Sequence, residues 1–310
     1  TLPALPDAIV QLECEGNDLV SFTSLPASLI HLNCWNNQLT SLPALPPALE
    51  WLNCYENQIS SLPTLPNSLT QIACSDNALT GLPALPLSLD RLLCRNNPSI
   101  GTMPALPPAL TYLSCDNNGL SALPTLPAGL VQLTCDNNVL AVLPVLPAGL
   151  VELRCDGNDL TDLPALPAAL KSLYCSQNLL TTLPALPASL RYLTCFNNVL
   201  GGLPALPNAL RVLECANNPI GVLPTLPDSL TSLYAANNGL TSLPTLPDAL
   251  LFVFCFNNQL TGLPPLPNYL SLLNCNTNQL GDLPELPNTF RTCSARPTRS
   301  TACPCCPIRS

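Results

Sequence analysis

Among the side chains that could do chemistry, cysteine dominates: the chain of 310 residues carries 17 cysteines and one histidine, His31. A single imidazole excludes metal sites built on two histidines and leaves one candidate base for a nucleophilic dyad. The nearest thiol, Cys34, sits an odd number of residues away and so faces the opposite side of an extended segment, which removes that dyad. Thirteen cysteines recur as a column, Cys14, Cys34, Cys54, Cys74, Cys94, Cys115 and onward to Cys275, interrupted once at Ala235. Free cysteine packs as a small hydrophobe. In-register thiols on adjacent rungs point in parallel and would have to twist to reach a disulfide dihedral. The expectation is a stack of buried free thiols. The other four, Cys293, Cys303, Cys305 and Cys306, could supply four thiolates, but Cys-x-Cys-Cys lacks the two-residue knuckle of zinc sites. Disulfide pairing and an unstructured terminus are the alternatives there. No G-x-x-x-x-G-K or G-x-G-x-x-G run occurs. These residues build no catalytic constellation; the chain reads as a non-enzyme, and no cofactor or metal is expected.

The cysteine spacing is also the period of everything around it. Aligned on its Leu-Pro dipeptides, the chain repeats LPxLPxxLxxLxCxxNxLxx, twenty residues long, with fourteen copies of the core between Leu12 and Cys275. Spacing slips at Ser21–Ser24, where Phe22-Thr23 replaces Leu-Pro, and at Asn97-Pro98-Ser99-Ile100, which inserts one residue. Within LxxLxC the alternation is strict. Leu12 and Cys14 point one way and Gln11, Glu13 and Glu15 the other, the period-2 signature of a half-buried strand. The LPxLP stretch cannot be helix interior or central strand, because its prolines fix φ and remove donors, which leaves extended or polyproline II backbone. One repeat buries roughly 1.5–3 kcal/mol for each of a few Leu or Cys side chains, against about 1–2 kcal/mol of backbone entropy per residue. A lone repeat does not fold, so the repeats must stack and share a core. The asparagine column, Asn17, Asn37, Asn57, Asn77, Asn97, Asn118 and onward to Asn278, is unbroken, and an amide at a tight bend can satisfy the buried backbone of neighbouring turns.

Composition narrows the partners. Apolar residues make up 47% and charged residues 9%, with a net charge of −9 and a pI near 4.4. With a single lysine, no Lys/Arg cluster is dense enough for the electrostatic footprint of nucleic acid or an anionic membrane. No apolar run approaches the ~20 residues that span a bilayer, so membrane insertion is not expected. Beginning at Thr1 inside a repeat, the chain reads as a processed or excised piece. Function then falls to the outward columns, where residues vary without core constraint. Three large aromatics and the imidazole, His31, Trp35, Trp51 and Tyr55, share two adjacent rungs. A second aromatic region runs through Tyr174, Tyr192, Phe196, Tyr234, Phe252, Phe254 and Phe256. Exposed aromatics at this density are enriched in binding hot spots, although cross-strand stacking also stabilises sheets. An acidic column, Asp116, Asp136 and Asp156, brings like charges close, and Arg95 and Arg154, a bound cation or a basic ligand must compensate it. The candidate ligand-binding residues are His31, Trp35, Trp51, Tyr55, Asp116, Asp136, Asp156, Tyr192 and Phe196.

The LPxLPxxLxxLxxxxNxLxx pattern of residues 2–289 resembles the short repeat of bacterial leucine-rich-repeat effectors delivered by type III secretion. That group includes outer proteins of Yersinia and repeat-bearing ubiquitin ligases of Shigella and Salmonella. The LxCxxN variant is also similar to leucine-rich repeats of bacterial surface and secreted proteins. The resemblance implies a β-rich solenoid over residues 1–289, a leucine-rich-repeat horseshoe with a parallel concave sheet of about 14 short strands and extended or polyproline II convex segments. An irregular tail rich in Cys, Pro and Arg follows over 290–310. In the ligases a catalytic domain with a Cys-x-Asp motif comes after the repeats, and no Cys-x-Asp occurs in this tail. The expected function is a non-enzymatic scaffold that recognises a protein or glycan through the concave face, secreted or at the cell surface, with delivery into a host cell as the alternative. Other readings are the substrate-recognition part of a secreted ubiquitin ligase without its catalytic domain, and a structural surface or fibre component. End-to-end self-association through uncapped repeat ends would serve the last.

Overall fold

The computed structural model describes residues 5–286 and the backbone of Thr292–Ser294, in two compact units, Thr1–Asp159 and Leu160–Ser310. The first unit carries β1 (Gln11–Glu13), β2 (His31–Asn33), β3 (Trp51–Asn53), β4 (Gln71–Ala73), β5 (Arg91–Leu93), β6 (Tyr112–Ser114), β7 (Gln132–Thr134) and β8 (Glu152–Arg154). The second carries β9 (Ser172–Tyr174), β10 (Tyr192–Thr194), β11 (Val212–Glu214), β12 (Ser232–Tyr234), β13 (Phe252–Phe254), β14 (Leu272–Asn274) and β15 (Thr292–Ser294). Within each unit the strands pair in parallel in chain order, residue for residue, as in Leu12 with Leu32 and Leu193 with Leu213. The expected solenoid is therefore present, and among the described residues the Leu-Pro segments hold neither helix nor strand. Backbone pairing also runs past the expected boundary of the repeats. Cys293 pairs with Leu273 in β15, because a parallel ladder needs only the backbone and tolerates the loss of a core leucine. The side chain of Cys293, together with Cys303, Cys305 and Cys306, lies outside the described residues.

One coil shows how the sequence makes the turn. The Pro46 carbonyl accepts the Leu49 N–H at 3.1 Å, a β-turn that swings the chain from the Leu-Pro segment into β3. Leu49, Leu52, Cys54 and Ile59 are then fully buried, while Trp51, Asn53 and Tyr55 face outward and are half-buried. At the strand exit Glu56 adopts φ 55°, the left-handed conformation that turns the backbone out of the sheet. Asparagine occupies this position in most coils, and glycine in others such as Gly16 and Gly157, the residue types that reach it at least cost. At Gly157 an added Cβ would also run into Asn137 Oδ1.

The asparagine column fastens each bend to the preceding coil. Asn138 Nδ2 donates to the carbonyls of Cys135 (3.0 Å) and Asp136 (3.2 Å) in its own coil and of Cys115 (3.1 Å) in the coil before. Its Oδ1 accepts the N–H groups of Leu120 and Asn118, both at 3.0 Å. Thiols add a weaker link, as Cys135 Sγ–H does in donating to the Arg154 carbonyl at 3.3 Å. Among the described residues thirteen cysteines are buried as thiols, and Ala235 fills the one gap in their column, also buried. Both spacing slips are absorbed outside the strands. Phe22 takes a buried leucine place. Ile100 does the same beside Gly101, at φ 63°, so that β5 and β6 stay in register with Arg91 opposite Tyr112.

Candidate functional site

The first unit presents the aromatic patch on β2, β3 and the residues just beyond them. His31 is exposed, and Trp35, Trp51 and Tyr55 are half-buried. Register places His31 opposite Trp51, with ring centroids 6.1 Å apart and tilted by 39°. Trp35 and Tyr55 repeat the arrangement at 6.3 Å and 42°. Both spacings fall in the range of edge-tilted aromatic pairs, which hold the rings in place while leaving faces free. Polar groups border the rings. Asn33 Nδ2 donates to Glu13 Oε2 at 2.6 Å and Gln11 Nε2 to Glu13 Oε1 at 2.7 Å, and these amides hold the Glu13 carboxyl below the usual carboxylate range. Asn33 is only 9% exposed, yet its Oδ1 has no donor, and neither has the buried Oε2 of Glu15. A buried acceptor without a donor is costly. The patch thus has rings and spare acceptors together, and parity in the sequence carried no sign of the acceptors.

The acidic column also belongs to the first unit, and its compensation differs from the expected one. Two of the carboxylates are met by the backbone of the next rung: Asp136 N–H donates to Asp116 Oδ1 at 2.8 Å and Asp156 N–H to Asp136 Oδ1 at 2.7 Å. The hydroxyls of Ser114 and Thr134 donate to Asp116 Oδ2, both at 3.0 Å. Arg154 pairs with Asp136 at 3.3 Å as expected. Arg95 does not take part: its side chain is exposed and joins no ion pair among the described residues. The cause is geometric, because parallel register aims each backbone N–H at the aspartate one rung back, a place the guanidinium would otherwise fill. Burial first, then the neighbouring Asp156 and Asp116 carboxylates, push the Asp136 carboxyl up to about 6. Among the described residues no three His, Cys, Asp or Glu side chains gather as metal ligands do. Arg91 lies over the Tyr112 ring at 4.5 Å, a cation–π contact that the sequence reading missed.

In the second unit Tyr192 is 40% exposed and Phe196 half-buried. Further along, Tyr234 and Phe254 stack with centroids 4.8 Å apart and 9° between planes, as their register on β12 and β13 dictates. Tyr192 and Phe196 join no ring pair among the described residues. The stacked pair reads as sheet stabilisation and the Tyr192 region as open surface.

No protein-family model and no curated protein matches the sequence. Solved structures do. YopM from Yersinia enterocolitica is 36% identical, with a TM-score of 0.86 over 96% of this chain and 70% of that one. YopM from Yersinia pestis, described as a leucine-rich effector protein, is 37% identical, with a TM-score of 0.85 over 95% of this chain and 85% of that one. The chain belongs to the bacterial leucine-rich-repeat proteins. InlJ from Listeria monocytogenes, whose functional domain includes a cysteine ladder, is 26% identical, with a TM-score of 0.77 over 87% of this chain and 63% of that one. This leucine-rich-repeat protein has such a ladder too, and burial pushes its thiols up, to about 11 at Cys14 and to about 12 at Cys54, Cys94 and Cys215. Burial disfavours the thiolate, and the column packs as small apolar side chains among the buried leucines. No helix among the described residues is long and apolar enough to cross a membrane.

Proposed function

We propose that this leucine-rich-repeat protein is a non-catalytic scaffold that binds a protein or glycan through the outward face of its sheet, with His31, Trp35, Trp51 and Tyr55 as the anchor. The observation that carries the reading is the coincidence, on adjacent rungs, of two tilted ring pairs with the buried, donorless Asn33 Oδ1. Rings held by a rigid sheet lose little entropy on binding, and the empty acceptors favour a ligand that brings N–H or O–H donors. The Asp116, Asp136 and Asp156 column belongs to the same unit as this anchor, and Tyr192 and Phe196 are separate candidate contacts on the second unit. Likeness to YopM, an effector protein, and to InlJ supports action outside the producing cell, at its surface or within a host.

The test begins with affinity capture of a partner and then compares single substitutions. Trp35→Ala and Tyr55→Ala are each expected to weaken binding by about 2 kcal/mol or more, the loss usual for a hot-spot ring. Val131→Ala, at an exposed apolar position of the same unit, is expected to leave binding unchanged. Full retention of the partner by both ring variants would remove this patch as the site.

A further inference from the structure

On three consecutive coils of the second unit the residue leading into the strand is a cation, Lys171, Arg191 and Arg211, all exposed. Lys171 is the only lysine of the chain, which has ten Lys and Arg in all. Backbone hydrogen bonds lock the three in register: Arg191 N–H donates to the Lys171 carbonyl and Arg211 N–H to the Arg191 carbonyl, both at 2.8 Å. Their side chains therefore leave the surface about one strand spacing apart, ~4.8 Å. Like charges stacked directly across strands destabilise a sheet. The aspartate column of the first unit has donors built in to offset that cost. This cationic column has no such offset, since no carboxylate lies within ion-pairing distance of any of the three among the described residues. Beside it stands Tyr192, 40% exposed, on the same rung as Arg191.

We propose that Lys171, Arg191 and Arg211 form a docking column for a short acidic peptide segment of a partner protein, whose carboxylates pair with the cations while a neighbouring side chain rests on Tyr192. The length fits, because three or four extended residues at ~3.3–3.6 Å each run the ~10 Å of the column. The net charge of −9 favours a short segment over a long polyanion, which meets repulsion wherever it leaves the column by less than the Debye length of ~10 Å. The proposal does not rest on the ring pairs of the first unit.

A fluorescein-labelled hexaglutamate peptide, titrated with the full chain by fluorescence anisotropy, tests it, with heparin and a single-stranded oligonucleotide as the competing polyanions. The expected result is binding of the peptide at low salt that weakens as salt rises. The triple variant Lys171→Gln, Arg191→Gln, Arg211→Gln is expected to lose affinity on the order of tenfold, since exposed ion pairs are individually weak but act here together. Val131→Ala, at an exposed position of the first unit, is expected to bind the peptide as the parent does. Relief of the like-charge stack means that the triple variant melts at or above the parent temperature at low salt. The proposal is overturned if the parent fails to bind the peptide, if the triple variant binds it equally, if heparin or the oligonucleotide binds in preference, or if the triple variant melts below the parent.

Discussion

Asp136 shows how a single residue records the strain of a repeated column. It accepts the Asp156 N–H and pairs with Arg154, yet burial between like charges raises its carboxyl from 3.8 to about 6. The folded state therefore binds this proton more tightly than the unfolded chain does. The resulting stability is full below about pH 4 and is lost as pH climbs through about 6, of order 1–3 kcal/mol in total. Asp136→Asn removes the titration, so its denaturant midpoint is expected to fall less than that of the parent between pH 4.5 and pH 7, and to exceed the parent's at pH 7. Parallel pH dependence in the two proteins would place the strain elsewhere. The crowding was legible from the twenty-residue spacing of Asp116, Asp136 and Asp156. Its relief was not, because side-chain parity says nothing about where a backbone N–H of the next rung points. The same limit hid Asn33 Oδ1, whose lack of a donor is a property of three coils and not of one strand.

At the scale of the element, the coil is closed by its bend as much as by its strand. Three-residue strands supply few ladder bonds, and the asparagine amide adds links to both its own coil and the one before. Asn138→Ala would leave the buried carbonyl of Cys115 and the N–H groups of Leu120 and Asn118 without the partner Asn138 gives them. At ~1–3 kcal/mol for each buried group left unsatisfied, discounted for relaxation and entering water, the expected loss is about 3 kcal/mol or more. Asn137→Ala, at the exposed neighbouring position with a left-handed φ of 54°, is expected to cost no more than about 1–2 kcal/mol. Denaturant melts of both variants check this, and equal losses would mean that the amide is not the fastening. Strand, bend and thiol positions could be read from LxxLxCxxN because each repeats on a fixed parity. The left-handed residue before each asparagine escaped that reading, since Asn36, Glu56, Gln177 and Thr277 share a backbone conformation but no side-chain chemistry. The cations Lys171, Arg191 and Arg211 escaped it too, standing one residue before the strand where the outward pattern was not followed.

For the whole molecule, the repeat divides its residues between columns that hold the coils together and columns that are free to recognise a ligand. The thiol ladder is one measure of the first group. Ellman titration of the native protein is expected to find the thirteen column thiols unreactive, and denaturant without reductant is expected to release at least that many. Recovery of far fewer would mean that the column is oxidised. The division itself is tested most directly on one strand, where Trp51 faces outward and Leu52 is fully buried. Leu52→Ala removes a core side chain and is expected to cost ~2–5 kcal/mol, with a clear drop in melting temperature. Trp51→Ala is expected to melt within a few degrees of the parent while losing most of its affinity for a captured partner. Early melting of Trp51→Ala at the temperature of Leu52→Ala, or undiminished binding by it, would contradict the account.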